Sequence, residues 1–198
     1  RIPLSGPFTI ACHLLGMEAV ICELAMAPEP MVAALQHLAA NQARLAQAAV
    51  GQGYGVALFE SAVTPPLLSP TLFRDGVAPA LQRVLAAAGD DVQLIIGGDT
   101  LSILDDMVAL GPAYVICPVE TDQAAFMAAL RRQSELHARV NLDPAVFLAG
   151  READAEAELD RVLALAAGYP HTSAGGLLPY DADPEIVKHL GRRAAAWA

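Results

Sequence analysis

Apolar runs of strand length alternate with helical patterns along the whole chain. This alternation predicts β-α-β units and a parallel sheet. The candidate strands are residues 3–8, 55–60, 92–96, 113–117, 139–142 and 171–173. Because the sequence shows no internal repeat, low-complexity tract or linker, we expect a single domain over residues 1–198.

Helix start signals fill the segments between the strands. Pro30 is placed to open a helix that reaches Val50, and Ser69 to cap another with Pro70 at its first position. About six strand-helix steps fit most of an eight-fold barrel, which typically takes about 250 residues. We therefore expect an α/β fold of the (β/α)8 TIM type, incomplete at its N-terminus.

Composition and charge limit the kinds of partner that the protein can bind. The chain is 55% hydrophobic and 17% charged, enough apolar material for a buried core. Its net charge of -10 would be repelled by nucleic acid or an anionic membrane. The most apolar stretch, residues 107–119, is shorter than the roughly 20 residues that cross a bilayer. We expect no nucleic-acid or membrane partner.

The cysteines indicate a reducing compartment. Cys12, Cys22 and Cys117 have neither C-x-x-C spacing nor the even count of a secreted disulfide framework. We interpret them as buried thiols of a cytoplasmic protein.

In a barrel of this type, residues at the carboxyl ends of the strands build the active site. The predicted strand ends hold a short series of small or chemically useful residues. They are Cys12, His13, Phe59, Glu60, Ser61, Gly97, Gly98, Asp99, Asn141, Asp143, Gly175 and Gly176.

Glu60 and Asp99 could serve as acid, base or electrostatic stabiliser, because a carboxylate in a mostly apolar pocket can have a shifted pKa. The stronger alternative makes Asp99 a helix N-cap and Glu60 a hydrogen-bond acceptor in a loop. His13 is a candidate proton donor, since imidazole titrates near neutrality, although a lone histidine is more often structural.

Metal and phosphate motifs are absent from the sequence. The five histidines are scattered and none stands in metal-ligand spacing, so we expect no metal site. The Gly97-Gly98-Asp99 turn lacks the glycine spacing and lysine of a phosphate loop. The "NLDP" at residues 141–144 predicts a strand end and a turn that Asp143 caps.

Five short motifs stand in the order and spacing of one family. They are "GPFT" at residues 6–9, "LFES" at 58–61, "LLSPTLFRDGVAPAL" at 67–81, "NLDP" at 141–144 and "DADPEIV" at 181–187. Together they resemble the uroporphyrinogen decarboxylase superfamily, which includes the decarboxylase and the zinc-dependent cobalamin:coenzyme M methyltransferases. The resemblance covers nearly the whole chain and implies a (β/α)8 barrel, with Arg1 well inside it.

The sequence matches the zinc-dependent methyltransferases of the superfamily poorly. The methyltransferases carry His-x-Cys at the strand before this turn and a later cysteine near the C-terminal glycines. The resemblance places Ile95, Gly97 and Gly176 at those positions. Because zinc needs thiolate or imidazole ligands, the resemblance disfavours zinc-dependent methyl transfer.

The decarboxylase branch fits "LFES", and Ser61 falls on its active-site serine. Two positions depart from the pattern: His13 stands where that enzyme has a tyrosine, and Gly175-Gly176-Leu177 replaces a Gly-His-Gly turn. The family's catalytic aspartate and substrate-binding arginines belong to its N-terminal part, before Arg1. The resemblance implies a mechanism that needs no cofactor. A pyrrole ring is protonated, and a carboxylate stabilises the resulting cation; Glu60 or Asp99 could supply that carboxylate here.

The expected function is that of a lyase which removes carboxylate from a tetrapyrrole-type substrate. Ser61, Glu60, His13 and Asp99 are the candidate catalytic residues. The candidate substrate-binding residues are Phe59, Gly97, Gly98, Asn141, Gly175 and Gly176. Corrinoid-linked methyl transfer without zinc and an inactive ligand-binding barrel remain alternatives. Because an incomplete barrel exposes strand edges, we also expect a homodimer or a companion N-terminal segment.

Overall fold

The computed structural model describes residues 1–65, 67–133, 136–169 and 171–197. The chain divides into two compact units, Arg1–Ile116 and Cys117–Ala198. Each unit consists of parallel strands with helices between them, so the predicted α/β fold class is confirmed.

All six predicted strands are present. The first unit holds β1 (Ile2–Ser5), β2 (Val56–Phe59), β3 (Val92–Ile95) and most of β4 (Tyr114–Cys117), which pair in chain order and in parallel. The second unit holds β5 (His137–Asn141) and β6 (Thr172–Gly175), also a parallel pair.

Helices connect the strands. Those of the first unit are α1 (Pro7–Leu15), α2 (Met17–Met26), α3 (Pro28–Gly51), α4 (Pro70–Leu72), α5 (Ala78–Ala88) and α6 (Leu104–Ala109). A π-helical segment, Phe73–Val77, joins α4 to α5, and a 3-10 helix, Leu101–Ile103, precedes α6. The second unit has α7 (Gln123–Gln133), the 3-10 helix Pro144–Phe147, α8 (Glu152–Ala166) and α9 (Pro184–Ala195).

Side-chain caps begin several of these helices, among them the predicted cap at Ser69. The Ser69 hydroxyl accepts a hydrogen bond from the Leu72 backbone nitrogen at 3.2 Å. Carboxylates of Asp122, Asp143 and Asp183 accept in the same way from Ala125, Ala145 and Glu185. The third helix begins at Pro28, two residues before the predicted Pro30.

The first predicted strand, residues 3–8, is too long. Strand β1 ends at Ser5, and Pro7 opens α1. Proline suits a first helical turn because it has no backbone N–H to pair and its φ is already helical. Cys12 and His13 therefore lie inside α1 and not at a strand end, which corrects their predicted position.

The strands alternate between a helix-facing side and an opposite face. Val56 and Leu58 of β2 are fully buried, whereas Phe59 is 37% exposed. The helix-facing core of the first unit includes Phe8 and Leu35, and that of the second includes Phe126 and Leu159.

Among the described residues, no single helix is long and apolar enough to cross a membrane. Helices α1 and α2 reach that length and hydropathy only when they are taken together, and the pair is bent by 114°.

Candidate functional site

The carboxyl ends of the strands in the first unit form a continuous row on the face away from the helices. Ser5 pairs with Phe59, and Phe59 with Ile95, along the register of β1, β2 and β3. Ser61, two residues after Phe59, is exposed, and Gly97 follows Ile95 by the same step. Because register partners in a parallel sheet share a face, the side chains of Ser5, Phe59 and Ile95 border one surface, and Ser61 and Gly97 lie in the segments that follow β2 and β3.

Glu60 lies between these exposed residues but on the other side of the sheet. Its side chain is fully buried. One carboxylate oxygen accepts hydrogen bonds from the Thr9 backbone nitrogen, at 2.6 Å, and from the Thr9 hydroxyl. The other accepts from the Phe8 backbone nitrogen at 3.2 Å. Glu60 therefore satisfies N–H groups that the first turn of α1 leaves unpaired.

Burial sets the protonation of this carboxyl group. Desolvation raises the pKa of Glu60 to about 7, while the hydrogen bonds from Thr9 and Phe8 act in the opposite direction. Gly6 makes the close approach feasible, since a Cβ there would lie 2.1 Å from a Glu60 carboxylate oxygen. The structure thus supports the hydrogen-bond acceptor interpretation of Glu60 and also gives it a strongly perturbed pKa.

The Gly97-Gly98-Asp99 turn follows β3. The Thr64 hydroxyl donates to the Gly97 carbonyl at 3.0 Å. Asp99 is exposed, and its carboxylate accepts from the Leu101 backbone nitrogen at 3.4 Å, whereas Thr100 and not Asp99 is the N-cap residue of the 3-10 helix that follows. The turn presents one carboxylate to solvent beside the exposed row of strand ends.

Gly98 should be the glycine of this turn least tolerant of substitution. Its φ is +76°, and a Cβ would lie 1.9 Å from Thr64 Cγ2. We expect Gly98→Ala to lower the free energy of unfolding by about 2 kcal/mol. Gly97→Ala, which meets nothing within 4 Å, should change it by less than about 0.5 kcal/mol. Urea denaturation compares the two, and equal losses would contradict this interpretation.

Cys12 and His13 have different environments on α1. Burial, and then the nearby Glu60 charge, raise the pKa of Cys12 to about 11, which keeps the thiol protonated at neutral pH. His13 is exposed in the last turn of the helix.

Asn141 is the last residue of β5 in the second unit, as the sequence predicts. Its carbonyl accepts a hydrogen bond from Gln123 Nε2 at 2.9 Å, and the same nitrogen donates to the Cys117 carbonyl at 3.2 Å. Gln123 is buried, and its Oε1 accepts from Arg161 at 2.8 Å. This glutamine holds the carboxyl end of β5 in place.

Arg139 shares a face of β5 with Asn141. Its Nε donates to Asn141 Oδ1 at 3.1 Å. In the register Arg139 pairs with Ser173 and Asn141 with Gly175. A Cβ on Gly175 would lie 2.7 Å from Arg139 Cδ, so the glycine makes room for the arginine stem.

Gly176, Asp143 and Leu177 differ in their surroundings. A Cβ on Gly176 would lie 3.3 Å from the Leu142 carbonyl oxygen. The Asp143 backbone nitrogen donates to Glu158 at 2.9 Å. Leu177 is exposed after β6.

Sequence reasoning did not identify Thr9, Gln123 or Arg139 as site residues. The alternation of residues 137–142 contained a signal for Arg139, because polar and apolar side chains follow each other with a period of two. Thr9 lies in the "GPFT" motif, where the Gly-Pro pair marks a helix start. No local sequence pattern identifies Gln123, since its contact with Asn141 forms only in the folded chain.

The possible metal donors are dispersed. In the part of the chain that the structure describes, no three His, Cys, Asp or Glu side chains are grouped to hold a metal ion. Ile95, Gly97 and Gly176 offer no side-chain ligand.

The fold and the strand-end loops define a TIM-type α/β protein whose chemistry belongs at the carboxyl ends of its strands. The family model for Uroporphyrinogen decarboxylase (URO-D) matches residues 3–197. The chain belongs to this family, which confirms the resemblance drawn from the five motifs.

Among solved structures, the chain is similar to a methyltransferase from Methanosarcina mazei. The two are 21% identical with a TM-score of 0.84, and the match covers 98% of this chain and 58% of that one. At this identity the similarity shows a shared fold, and this chain spans 58% of that chain's length. A search of curated proteins gives no significant match.

Proposed function

We propose that this protein is a uroporphyrinogen decarboxylase-type lyase, which removes carboxylate from a tetrapyrrole-type substrate without a metal ion. The observation that carries the proposal is the exposed strand-end row. Phe59 offers an aromatic surface at the end of β2, and the exposed Ser61, two residues later, offers a hydroxyl. Family membership and the "LFES" motif support the assignment.

The reaction class requires few protein groups. A proton adds to a ring carbon of the pyrrole, which makes the ring cationic. The bond between the acetate methylene and its carboxyl carbon then breaks, carbon dioxide leaves, and the bonding pair neutralises the ring. Protonation of the methylene and loss of the first proton leave a methyl group, so the net reaction consumes one proton per carbon dioxide.

We assign different roles to the two carboxylates. Asp99 is exposed beside the strand-end row, so its negative charge can stabilise the cationic ring. Glu60 is fully buried, and both of its oxygens bond to α1, so we assign it as a positioning residue that holds the end of β2. His13, exposed on α1, remains a candidate proton donor.

The available donor chemistry supports a metal-independent reaction. The strand-end residues Ile95, Gly97 and Gly176 cannot ligate zinc through their side chains. A mechanism that activates a thiol on zinc would need ligands which these positions do not provide.

Product analysis tests the proposal. The purified chain is incubated with uroporphyrinogen without oxygen, and the products are oxidised and separated by their number of carboxyl groups. Products with fewer carboxyl groups than the substrate support the lyase. Unchanged substrate contradicts it, whether or not the protein binds the porphyrinogen; binding alone would favour the inactive ligand-binding barrel.

Ser61 should be needed for turnover. We expect Ser61→Ala to lower kcat/KM for uroporphyrinogen by about 100-fold, because a lost hydrogen bond in a desolvated site costs up to about 3 kcal/mol. Ser102→Ala, at an exposed serine in the same unit, is the matched control and should retain wild-type kcat/KM. Equal activity of the two variants would contradict the role of Ser61.

Corrinoid-linked methyl transfer is the second candidate. It is favoured by the fold shared with the methyltransferase from Methanosarcina mazei. Methylcobalamin consumption, followed by its absorbance, separates this candidate from the lyase, which should leave methylcobalamin unchanged.

A further inference from the structure

Arg139 of the second unit has no anionic partner among the residues that the structure describes. Arg139 is half-buried on β5. Within the described ranges it takes part in no ion pair, unlike Arg161 and Arg193, which pair with Glu158 and Glu156. Within the same ranges, its guanidinium donates one hydrogen bond, from Nε to Asn141 Oδ1. The terminal nitrogens of the guanidinium therefore keep their donors available to a ligand.

Neighbouring residues hold this guanidinium in place. Asn141 fixes Nε, and Gly175 leaves the space that the Arg139 stem occupies. Gln123 in turn anchors the Asn141 carbonyl. The positioning is thus built into β5 and β6 and is not a feature of a freely moving surface arginine.

The surroundings of Arg139 are polar and provide further donors. Ser173 is its register partner and lies 3.3 Å from His137 Nε2 through its hydroxyl. Asn141 accepts through Oδ1, so its amide nitrogen is the end left for another acceptor. Burial lowers the pKa of Arg139 from its ordinary value, yet an arginine stays charged at neutral pH.

A partly desolvated charge without a counterion is unfavourable, and proteins usually pair such groups. We propose that Arg139, with Asn141 and Ser173, forms a subsite which binds a carboxylate group of a small-molecule ligand. A guanidinium binds a planar carboxylate through two parallel hydrogen bonds, and its terminal nitrogens have the geometry for this. That this carboxylate belongs to the substrate rests on the proposed function; the subsite itself does not.

Propionate is a suitable probe, with propionamide as its neutral analogue. We expect wild-type protein to bind propionate by calorimetry or chemical-shift titration, and not propionamide. Arg139→Met, which keeps the stem and removes the charge, should weaken propionate binding by about tenfold or more. Arg139→Lys should bind with intermediate affinity, because it keeps the charge but loses the two-pronged geometry.

Two matched controls isolate the site. Arg132→Met removes an exposed arginine of the same unit and should leave propionate affinity unchanged. Gly175→Ala keeps every charge but places a methyl group against the Arg139 stem, so it should also weaken binding. Gly191→Ala meets nothing within 4 Å and should not.

The stability of Arg139→Met is a second readout, because it distinguishes a ligand-binding arginine from one that stabilises the fold. If the role of Arg139 is to bind a ligand, Arg139→Met should have a urea midpoint equal to or above that of wild type, because the substitution removes an unpaired charge. A clearly lower midpoint would show that the guanidinium stabilises the fold, and would overturn the proposal. So would wild-type protein that does not bind millimolar propionate, or equal affinity in Arg139→Met. Propionate binding without porphyrinogen turnover would reject only the proposed function.

Discussion

The free energy of unfolding should fall by about 3 kcal/mol as the pH rises from 4.5 to about 7, because of Glu60 alone. Burial raises the pKa of Glu60 from 4.5 to about 7 in the folded protein. In the unfolded chain this carboxyl group ionises at its ordinary pKa, while the folded protein retains the proton. Over this range the unfolded state binds fewer protons, so stability decreases with pH and then levels off above the folded pKa.

Other shifted groups titrate outside this interval. The pKa of Glu158 is lowered by its hydrogen bonds, so its contribution changes at more acidic pH. The pKa values of Cys12 and Cys117 are raised to about 11 and about 12 by burial, so theirs change at alkaline pH. Among these four groups, Glu60 is therefore the one whose titration changes the stability between pH 5 and pH 7.5.

Glu60→Gln is the variant that tests this slope. Glutamine cannot ionise, and its nitrogen cannot accept from the Phe8 backbone, so the variant should be less stable than wild type at pH 5. The two stabilities should converge near pH 7.5. Urea denaturation followed by circular dichroism at several pH values measures both curves. Parallel curves would contradict the raised pKa of Glu60.

Gly6→Ala should be the most damaging single methyl addition near the site. The added Cβ would lie 2.1 Å from a Glu60 oxygen and 2.4 Å from its carboxyl carbon. That carboxylate cannot move away without breaking its bonds to Thr9 and Phe8. We expect a loss of about 3 kcal/mol or more in the free energy of unfolding, measured by urea denaturation.

A double-variant cycle separates this clash from a general cost of alanine. Glu60→Ala removes the carboxylate, so Gly6→Ala should cost little more in that background. Gly51→Ala, at a helical glycine with nothing within 4 Å, should change stability by less than about 1 kcal/mol. Additive losses at Gly6 and Glu60 would rule out the close contact as their cause.

The order of strands and helices was predictable from the sequence because it depends on local patterns. Alternating apolar runs located all six strands, and the capping residues Ser69 and Asp143 marked two of the helix starts. The error at residues 3–8 arose because apolar residues stand on both sides of the boundary between β1 and α1, and the Gly6-Pro7 pair that marks it was included in the predicted strand.

The candidate site was less predictable because its contacts join residues distant in the chain. The sequence placed Glu60, Ser61 and Asn141 at strand ends correctly. It did not show that Glu60 turns toward Thr9, since that choice follows from a partner 51 residues away. Nor did it show that Arg139 is unpaired among the described residues, because charge pairing depends on tertiary structure.

Release of carbon dioxide tests the central claim most directly. Uroporphyrinogen labelled in its acetate carboxyl carbons is incubated anaerobically with the purified chain, and the gas is analysed by mass spectrometry. The account predicts labelled carbon dioxide from wild type and from Ser102→Ala, and a strongly reduced yield from Ser61→Ala. Absence of labelled carbon dioxide from the wild-type protein, or an undiminished yield from Ser61→Ala, would contradict it.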